Sequence, residues 1–334
     1  MLSLFIDWEV SPEIFHLGGI SVRYYGLLFA LAFVFGYKVE ERMFKSEGLP
    51  IAWLDKLWIY VAVATIVGAR LGHCIFYDWA YYSQHPLEMI LPVRFYPEFE
   101  FTGYQGLASH GAAIGIIAGL WYYSRKVSKK SIFWILDRAV IPIALAGFFI
   151  RMGNLMNSEI VGAPTTVPWG FHFLHNNDLR WLVENNTIEE TLRQAWVAKF
   201  VVPLGVGTSI DELMKSGIAF RDSGGVYLSR HPAQLYEAIC YLVSFGVLLY
   251  LYWKTQVRKK MGFIFGMFLI LIFSARFVIE FFKDVQENFE ITQVLNMGQR
   301  LSIPFILAGV FMLWYSKRLP DTGTKIPETG KKSR

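Results

Sequence analysis

The chain has 334 residues, of which 54% are hydrophobic, 17% aromatic and only 18% charged. A water-soluble domain carries about 45–50% apolar and about 25% charged residues, so this composition excludes a soluble globular protein and calls for several membrane spans. The net charge of +5 is gathered in a few loops, as membrane topology requires, and gives no argument for a nucleic-acid partner.

Residues 1–19 are acidic through Asp7, Glu9 and Glu13 and lack the basic start of a secretory signal, so the first apolar segment is expected to act as the anchor. Seven apolar segments follow in order, at 21–38, 54–77, 106–123, 131–150, 232–253, 262–282 and 299–315. Each approaches the roughly 20 residues a helix needs to cross the hydrocarbon at 1.5 Å per residue. The expected fold is an all-α membrane protein of seven transmembrane helices.

Orientation follows from the basic residues, because short cytoplasmic loops retain Lys and Arg. Lys38, Arg42, Lys45 and Lys56 lie on one side, as do Arg125, Lys126, Lys129 and Lys130, then Lys254, Arg258, Lys259 and Lys260, and the tail from Lys317 onwards. The opposite connections hold only Arg94 in 78–105 and Lys283 between the last two spans. The N-terminus is therefore expected outside and the C-terminus in the cytoplasm. Residues 163–230 read as a small extracytoplasmic insert between spans four and five, with an amphipathic helix at 187–200. The membrane domain would cover 1–318, and 319–334 reads as a disordered cytoplasmic tail. Cys74 and Cys240 lie within apolar segments and read as packed thiols, and no metal or cofactor is expected.

With these directions, polar residues from separate helices fall at one depth, the outer part of the membrane. Arg70 comes late in the second span, His110 early in the third, Arg151 at the end of the fourth, and Arg276 with Glu280 late in the sixth. Tyr25, Tyr236 and Glu237 begin inward-running spans at the same level. Intramembrane ionisable groups that converge mark function. Blander readings exist for single members: Arg276 and Glu280, four residues apart, can neutralise each other; Arg70 can snorkel; His110 can be a packed polar residue; Trp79, Tyr81, Tyr82 and Tyr25 can form an interfacial belt. The stretch 147–162, GFFIRMGNLMNSEIVG, resists them best. It sets Arg151, Asn154, Asn157 and Glu159 where an apolar span ends, although Asn and Gly can also simply make a turn.

IRMGNLMNSEIVG resembles the signature of the bacterial prolipoprotein diacylglyceryl transferases, matched at Arg151, Gly153, Asn154, Asn157, Glu159 and Gly162. VRYYGLLF (22–29), GARLGHCIFY (68–77), SHGAAIG (109–115), RHPAQLYE (230–237), ARFVIEFFK (275–283) and MGQRLSIP (297–304) are similar to the family's further motifs, in order. The resemblance covers nearly all of 1–318, apart from the outer insert. Ile150, Ala69 and Ala112 stand where the family tends to have Gly, Lys283 replaces a common Arg, and Ile272 occupies a place where the family tends to carry a Tyr, so no phenol is available there.

The resemblance implies a multi-pass enzyme of the bacterial cytoplasmic membrane. It would move the diacylglyceryl group of phosphatidylglycerol to the lipobox cysteine thiol of a prolipoprotein, forming a thioether and releasing sn-glycerol 1-phosphate. His110, Arg151, Arg276 and Glu280 would be catalytic. Tyr25, Arg70, Asp137, Asn154, Asn157, Glu159, Gly162 and Tyr236 would bind substrate. Partners would be phosphatidylglycerol, the prolipoprotein signal peptide and membrane lipids. The alternative is a polytopic transporter or channel, whose charges would lie near the midplane or along a through-path rather than toward one face.

Overall fold

The computed structural model describes residues 5–18, 20–91, 93–95, 99–101, 106, 108–175, 197–205, 212, 215–216, 219–222, 225–285, 290 and 293–321. A helix covers each expected span: α1 (Tyr24–Ser46), α2 (Ile51–Phe76), α4 (Ser109–Tyr123), α5 (Ile132–Met156), α6 (Ala233–Lys254), α7 (Phe263–Ile279) and α8 (Met297–Tyr315), with a single turn α3 (Trp79–Tyr82) after α2. Five of them, α2, α5, α6, α7 with its following turn, and α8, are long and apolar enough to cross a membrane. α4 has 15 residues, and α1 runs on past Lys38 through a charged stretch to Ser46. The expected amphipathic helix at 187–200 lies almost wholly outside the described residues, which take in only its last turn, Val197–Val201. The tail beyond Asp321 lies outside them too.

Among the described residues the chain divides into two compact units, 5–38 with 140–321, and 39–139. In the second unit α2 and α4 meet along a seam of glycines. A Cβ added at Gly111 would lie 2.2 Å from the Gly68 carbonyl oxygen, and one at Gly115 would lie 2.3 Å from that of Ala64. Small residues let the backbones approach, so dispersion replaces the hydrophobic drive that lipid cannot supply. Further along the unit, Arg138 lies buried against the Trp134 ring, 3.8 Å from its centroid, and holds Glu47 at 2.7 Å.

The all-α expectation needs correction in the first unit. Strands β1 (Ile6–Trp8), β6 (Phe171–Phe173), β7 (Ala219–Asp222) and β8 (Gly225–Arg230) form a four-stranded sheet in the order β1-β6-β8-β7. β2 (Glu13–Leu17) and β3 (Ile20–Arg23) make a hairpin leading into α1, and a two-residue pair, β4 (Val93–Arg94) with β5 (Glu100–Phe101), lies in the second unit. Strands this short offer no alternation to read, and β1 finds its parallel partner at Phe171, far along the chain. The sheet seats on the end of α5: Phe171 and Phe173 pack on Leu155, and the Trp8 indole donates to the Leu155 carbonyl at 3.1 Å. α7 and α8 pair closely, with Gly266 and Gly309 at their crossing and the Phe273 and Phe305 rings stacked 4.3 Å apart.

Candidate active site

α5 does not stop where its apolar run ends. It continues to Met156, so Arg151 and Asn154 stand on its last turns and only Asn157 and Glu159 lie beyond. The chain then turns sharply through Ser158 and Ile160, both in the left-handed region at φ 53° and 56°. A β-branched residue at positive φ is strained and persists only where surrounding contacts enforce it. Those contacts are on either side. The Gly162 amide donates to the His231 carbonyl (2.9 Å), the Ala163 amide to that of Phe282 (2.8 Å), and the His231 amide to that of Ala163 (3.0 Å). Arg230 donates to the Gly162 carbonyl and pairs with Asp284, and the Gln234 amide donates to the Glu159 carbonyl at 2.6 Å. Three chain segments thus converge on Gly162, where a Cβ would fall 2.3 Å from the His231 carbonyl oxygen and 2.7 Å from that of Phe282. Only glycine fits.

The polar side chains of this loop form one string. Arg151 Nη1 donates to Asn154 Oδ1 (3.2 Å), and the Asn154 and Asn157 amides both donate to Glu159 Oε1, at 2.7 and 3.3 Å. Arg151 Nε lies 2.8 Å from Glu237 Oε2, whose side chain is wholly buried on α6. Glu237 Oε1 meets Lys283 Nζ at 3.0 Å, and the same ammonium lies 2.9 Å from Glu280 Oε1. Arg276 Nε approaches that oxygen at 3.7 Å. Charges therefore alternate from α5 through α6 to the end of α7, in the order Arg151, Glu237, Lys283, Glu280, Arg276. Three cations alternate with two carboxylates along it, and the Glu159 carboxylate, joined to Arg151 through Asn154, is a third.

Glu280 is bound most closely by Lys283 and by the Asn296 amide, at 2.9 Å each, and Arg276, at 3.7 Å, is its loosest charged partner. The terminal guanidinium nitrogens of Arg276 donate to no other described residue, and its side chain is about a third exposed. Asn296 is itself fixed as the N-cap of α8, its side chain accepting from the Gln299 amide while the Gln299 side chain accepts from the Asn296 amide.

Tyr25, near the start of α1, lays its ring on the signature helix. A Cβ at Gly153 would lie 2.7 Å from that ring, which explains the glycine there. Tyr236 is tied by its hydroxyl, which accepts from the Trp169 indole at 2.8 Å and lies 3.2 Å from His231 Nδ1. His231 precedes α6, and burial holds its imidazole below the ordinary histidine pKa.

The second unit holds the other expected residues. His110 is exposed on the first turn of α4 and hydrogen-bonds no other described residue through its ring. Arg70 stands at the same end of the α2–α4 pair, where the Ala108 amide donates to the Ala69 carbonyl at 2.9 Å. Its guanidinium is buried, donates to the carbonyls of Glu88 (2.6 Å) and Met89 (3.2 Å) and lies over the Tyr82 ring. It anchors the loop after α3. Asp137, expected to touch substrate, is 1% exposed and lies beside Arg138 on α5.

Sequence reasoning took Lys283 only as a departure, and missed Gln234, Asn296 and Trp169. The i, i+3 spacing of Glu280 and Lys283, and the Asn-x-x-Gln pattern of a capping box at 296–299, were the available signals.

A family model described as prolipoprotein diacylglyceryl transferase matches residues 12–315. The chain belongs to that family. Among its relatives, a phosphatidylglycerol–prolipoprotein diacylglyceryl transferase of Porphyromonas gingivalis is 41% identical over 96% of this chain and 98% of its own length. Proteins of the same name from Bacteroides fragilis (39% identical, 95% of this chain and 98% of the relative) and Tolumonas auensis (37%, 93% and 97%) are also similar. Membership in this family of transferases, together with five apolar helices, makes the chain a multi-pass membrane protein and sets aside the transporter or channel alternative.

Proposed function

We propose that the protein transfers the diacylglyceryl group of phosphatidylglycerol to the lipobox cysteine of a prolipoprotein, in the bacterial cytoplasmic membrane, with seven spans, the N-terminus and the 163–230 insert outside and the C-terminus inside. The cysteine Sγ, as thiolate, attacks the glyceryl carbon bound to phosphate. A C–S bond forms as the C–O bond breaks with its electron pair going to the leaving oxygen, and glycerol 1-phosphate departs. The thiol proton goes to a base.

The observation that carries this reading is the alternating charge chain. Its two ends are arginines, Arg151 with its Nε 2.8 Å from Glu237 and Arg276 with its Nε 3.7 Å from Glu280. A planar guanidinium fork is the preferred ligand of a phosphate. As the leaving oxygen gains charge these contacts strengthen, which lowers the barrier. Asn154, Asn157 and Glu159 hold the Arg151 side of the fork and offer hydrogen-bond groups to the glycerol hydroxyls, Tyr25 and Tyr236 wall the lipid, and Gly162 fixes the loop. Glu280 acts on Arg276 through charge. His110, exposed and without a ring hydrogen bond among the described residues, is assigned the thiol proton, since a thiolate and not a thiol is the nucleophile.

The deciding experiment is transfer of labelled diacylglycerol from phosphatidylglycerol to a lipobox peptide by purified protein. Label on the cysteine, with glycerol phosphate released in equal amount, is expected; no transfer by folded protein would overturn the reading.

A further inference from the structure

At the end of α4 opposite His110, the second unit has a cavity of about 470 Å³ lined by Trp121, Ser124, Arg125, Lys129, Lys130 and Ser131. That is within the size range of small-ligand sites, about 300–1,000 Å³. Its shape comes from the chain turning on itself. α4 passes into a wide turn at Ser124–Ser128, and Lys129 then adopts a left-handed conformation at φ 51°. Ser124 Oγ donates to the Lys130 carbonyl at 2.6 Å, and Ser128 Oγ accepts from the Lys130 amide at 3.3 Å. The buried hydroxyls pin the turn, and the cations are left outward. Arg125, Lys126, Lys129 and Lys130 are all exposed, and none pairs with a carboxylate among the described residues. Elsewhere in the same unit cations do find partners, as Lys45 does in Glu41 and Arg138 in Glu47.

A second feature ends at the same place. An apolar groove of about 790 Å³ runs between α2 and α4 over the glycine seam, from Phe76 and Ile75 to Trp121 and Tyr122. Trp121 lines both the groove and the basic cavity, and the Arg125 guanidinium lies 5.9 Å from its ring centroid. An exposed Trp between an apolar helix face and a basic turn marks headgroup depth. Retention of positive loops explains the number of cations there but requires neither a pinned turn nor a cavity that shares a Trp wall with an apolar groove.

We propose that this composite site binds one anionic phospholipid, its phosphate among Arg125, Lys129 and Lys130 and one acyl chain in the α2–α4 groove. Charge complementarity selects the head, since basic residues beside a span attract anionic lipid, and the Trp121 side chain common to cavity and groove selects a molecule that has both a phosphate and a tail. The site is separate from the arginines assigned to transfer, and it rests on the membrane reading, not on the reaction.

Native mass spectrometry of the full chain in detergent, with phosphatidylserine, phosphatidylcholine or inorganic phosphate added, tests this. Phosphatidylserine should be retained about tenfold better than phosphatidylcholine, and the preference should fall to within about twofold in the triple variant Arg125→Gln, Lys129→Gln, Lys130→Gln. Ala118→Trp, which fills the groove and leaves every cation in place, should lower retention of phosphatidylserine and the rise in Tm that it gives. Equal retention of the two lipids by the wild type, or an unchanged preference in the folded triple variant, overturns the proposal. So does competition by inorganic phosphate as effective as that by the lipid, which would make this a phosphate site with no use for the groove.

Discussion

Lys283 is the residue on which the candidate site turns, because its ammonium is the only cation within reach of both Glu237 and Glu280 among the described residues. Removing it leaves two buried carboxylates short of a partner, and breaking a buried pair in this way costs about 3–5 kcal/mol. Lys283→Met should therefore abolish transfer and lower the Tm, whereas Lys283→Arg should keep both near wild type; equal loss in the two variants would show that charge at this position is immaterial. Arg151→Lys and Arg276→Lys keep the charge but lose the fork. Each should lower kcat by about 10- to 100-fold, given that hydrogen bonds to charged groups are worth about 1.5–3 kcal/mol, while the Tm changes little. Activity retained in both would return the pair Arg276–Glu280 to a local salt bridge. His110→Gln should reduce transfer by about 10²–10⁴-fold, with part of the loss recovered at high pH as the peptide thiol ionises unaided; near-normal turnover from pH 6 to 9 would exclude a base at this position.

Among the elements, the last turns of α5 and the loop to Gly162 carry the strongest constraint. Gly162→Ala should inactivate the protein without altering any charged group, since the new methyl meets backbone oxygens of two other segments that cannot rotate away; a fully active alanine variant would mean that the loop is looser than its hydrogen bonds imply. His231, in the same knot, gives a pH effect whose sign follows from its depressed pKa. Above about pH 6.5 the imidazole is neutral both folded and unfolded, and it adds no pH dependence. Below that value the unfolded chain takes up a proton that the folded one resists, so stability falls as the pH drops toward the folded-state pKa. Thermal melts at pH 5 and pH 7.5 should show this loss in the wild type and a smaller one in His231→Gln. The motif at 150–162 was legible because charged and amide groups at the end of an apolar span are rare. Of their buried partners, Glu237 is legible only as a polar group at the expected common level and Lys283 only as a departure from the family pattern, since their ion pairs form only when helices distant in sequence are placed side by side.

For the whole molecule, reporters fused after Lys45, Lys130 and Lys260 should read as cytoplasmic and one within 163–230 as exported, on the asymmetry of basic loops. A cytoplasmic signal from the insert would overturn the common depth of the polar groups. Hydropathy located every long helix, because a 3.6-residue repeat buried in lipid needs only length and apolarity to be seen. It mistook the ends of α1 and α5, where the helix outlasts its apolar run, and it could not see the sheet, whose strands of three to six residues pair across more than 160 positions of sequence from Ile6 to Phe171.

The direct pairing of Pro164 with Arg230 means that the segment 163–230 leaves and rejoins the rest of the chain at adjoining points. Its chain closes like a purse-string at the base. The entropy of closing a loop changes by only about 0.6 kcal/mol for each doubling of its length, so the base is held together on much the same terms whatever the span of chain between its ends. The paired ends are in this sense a socket, with the backbone knot at Gly162 as its rim.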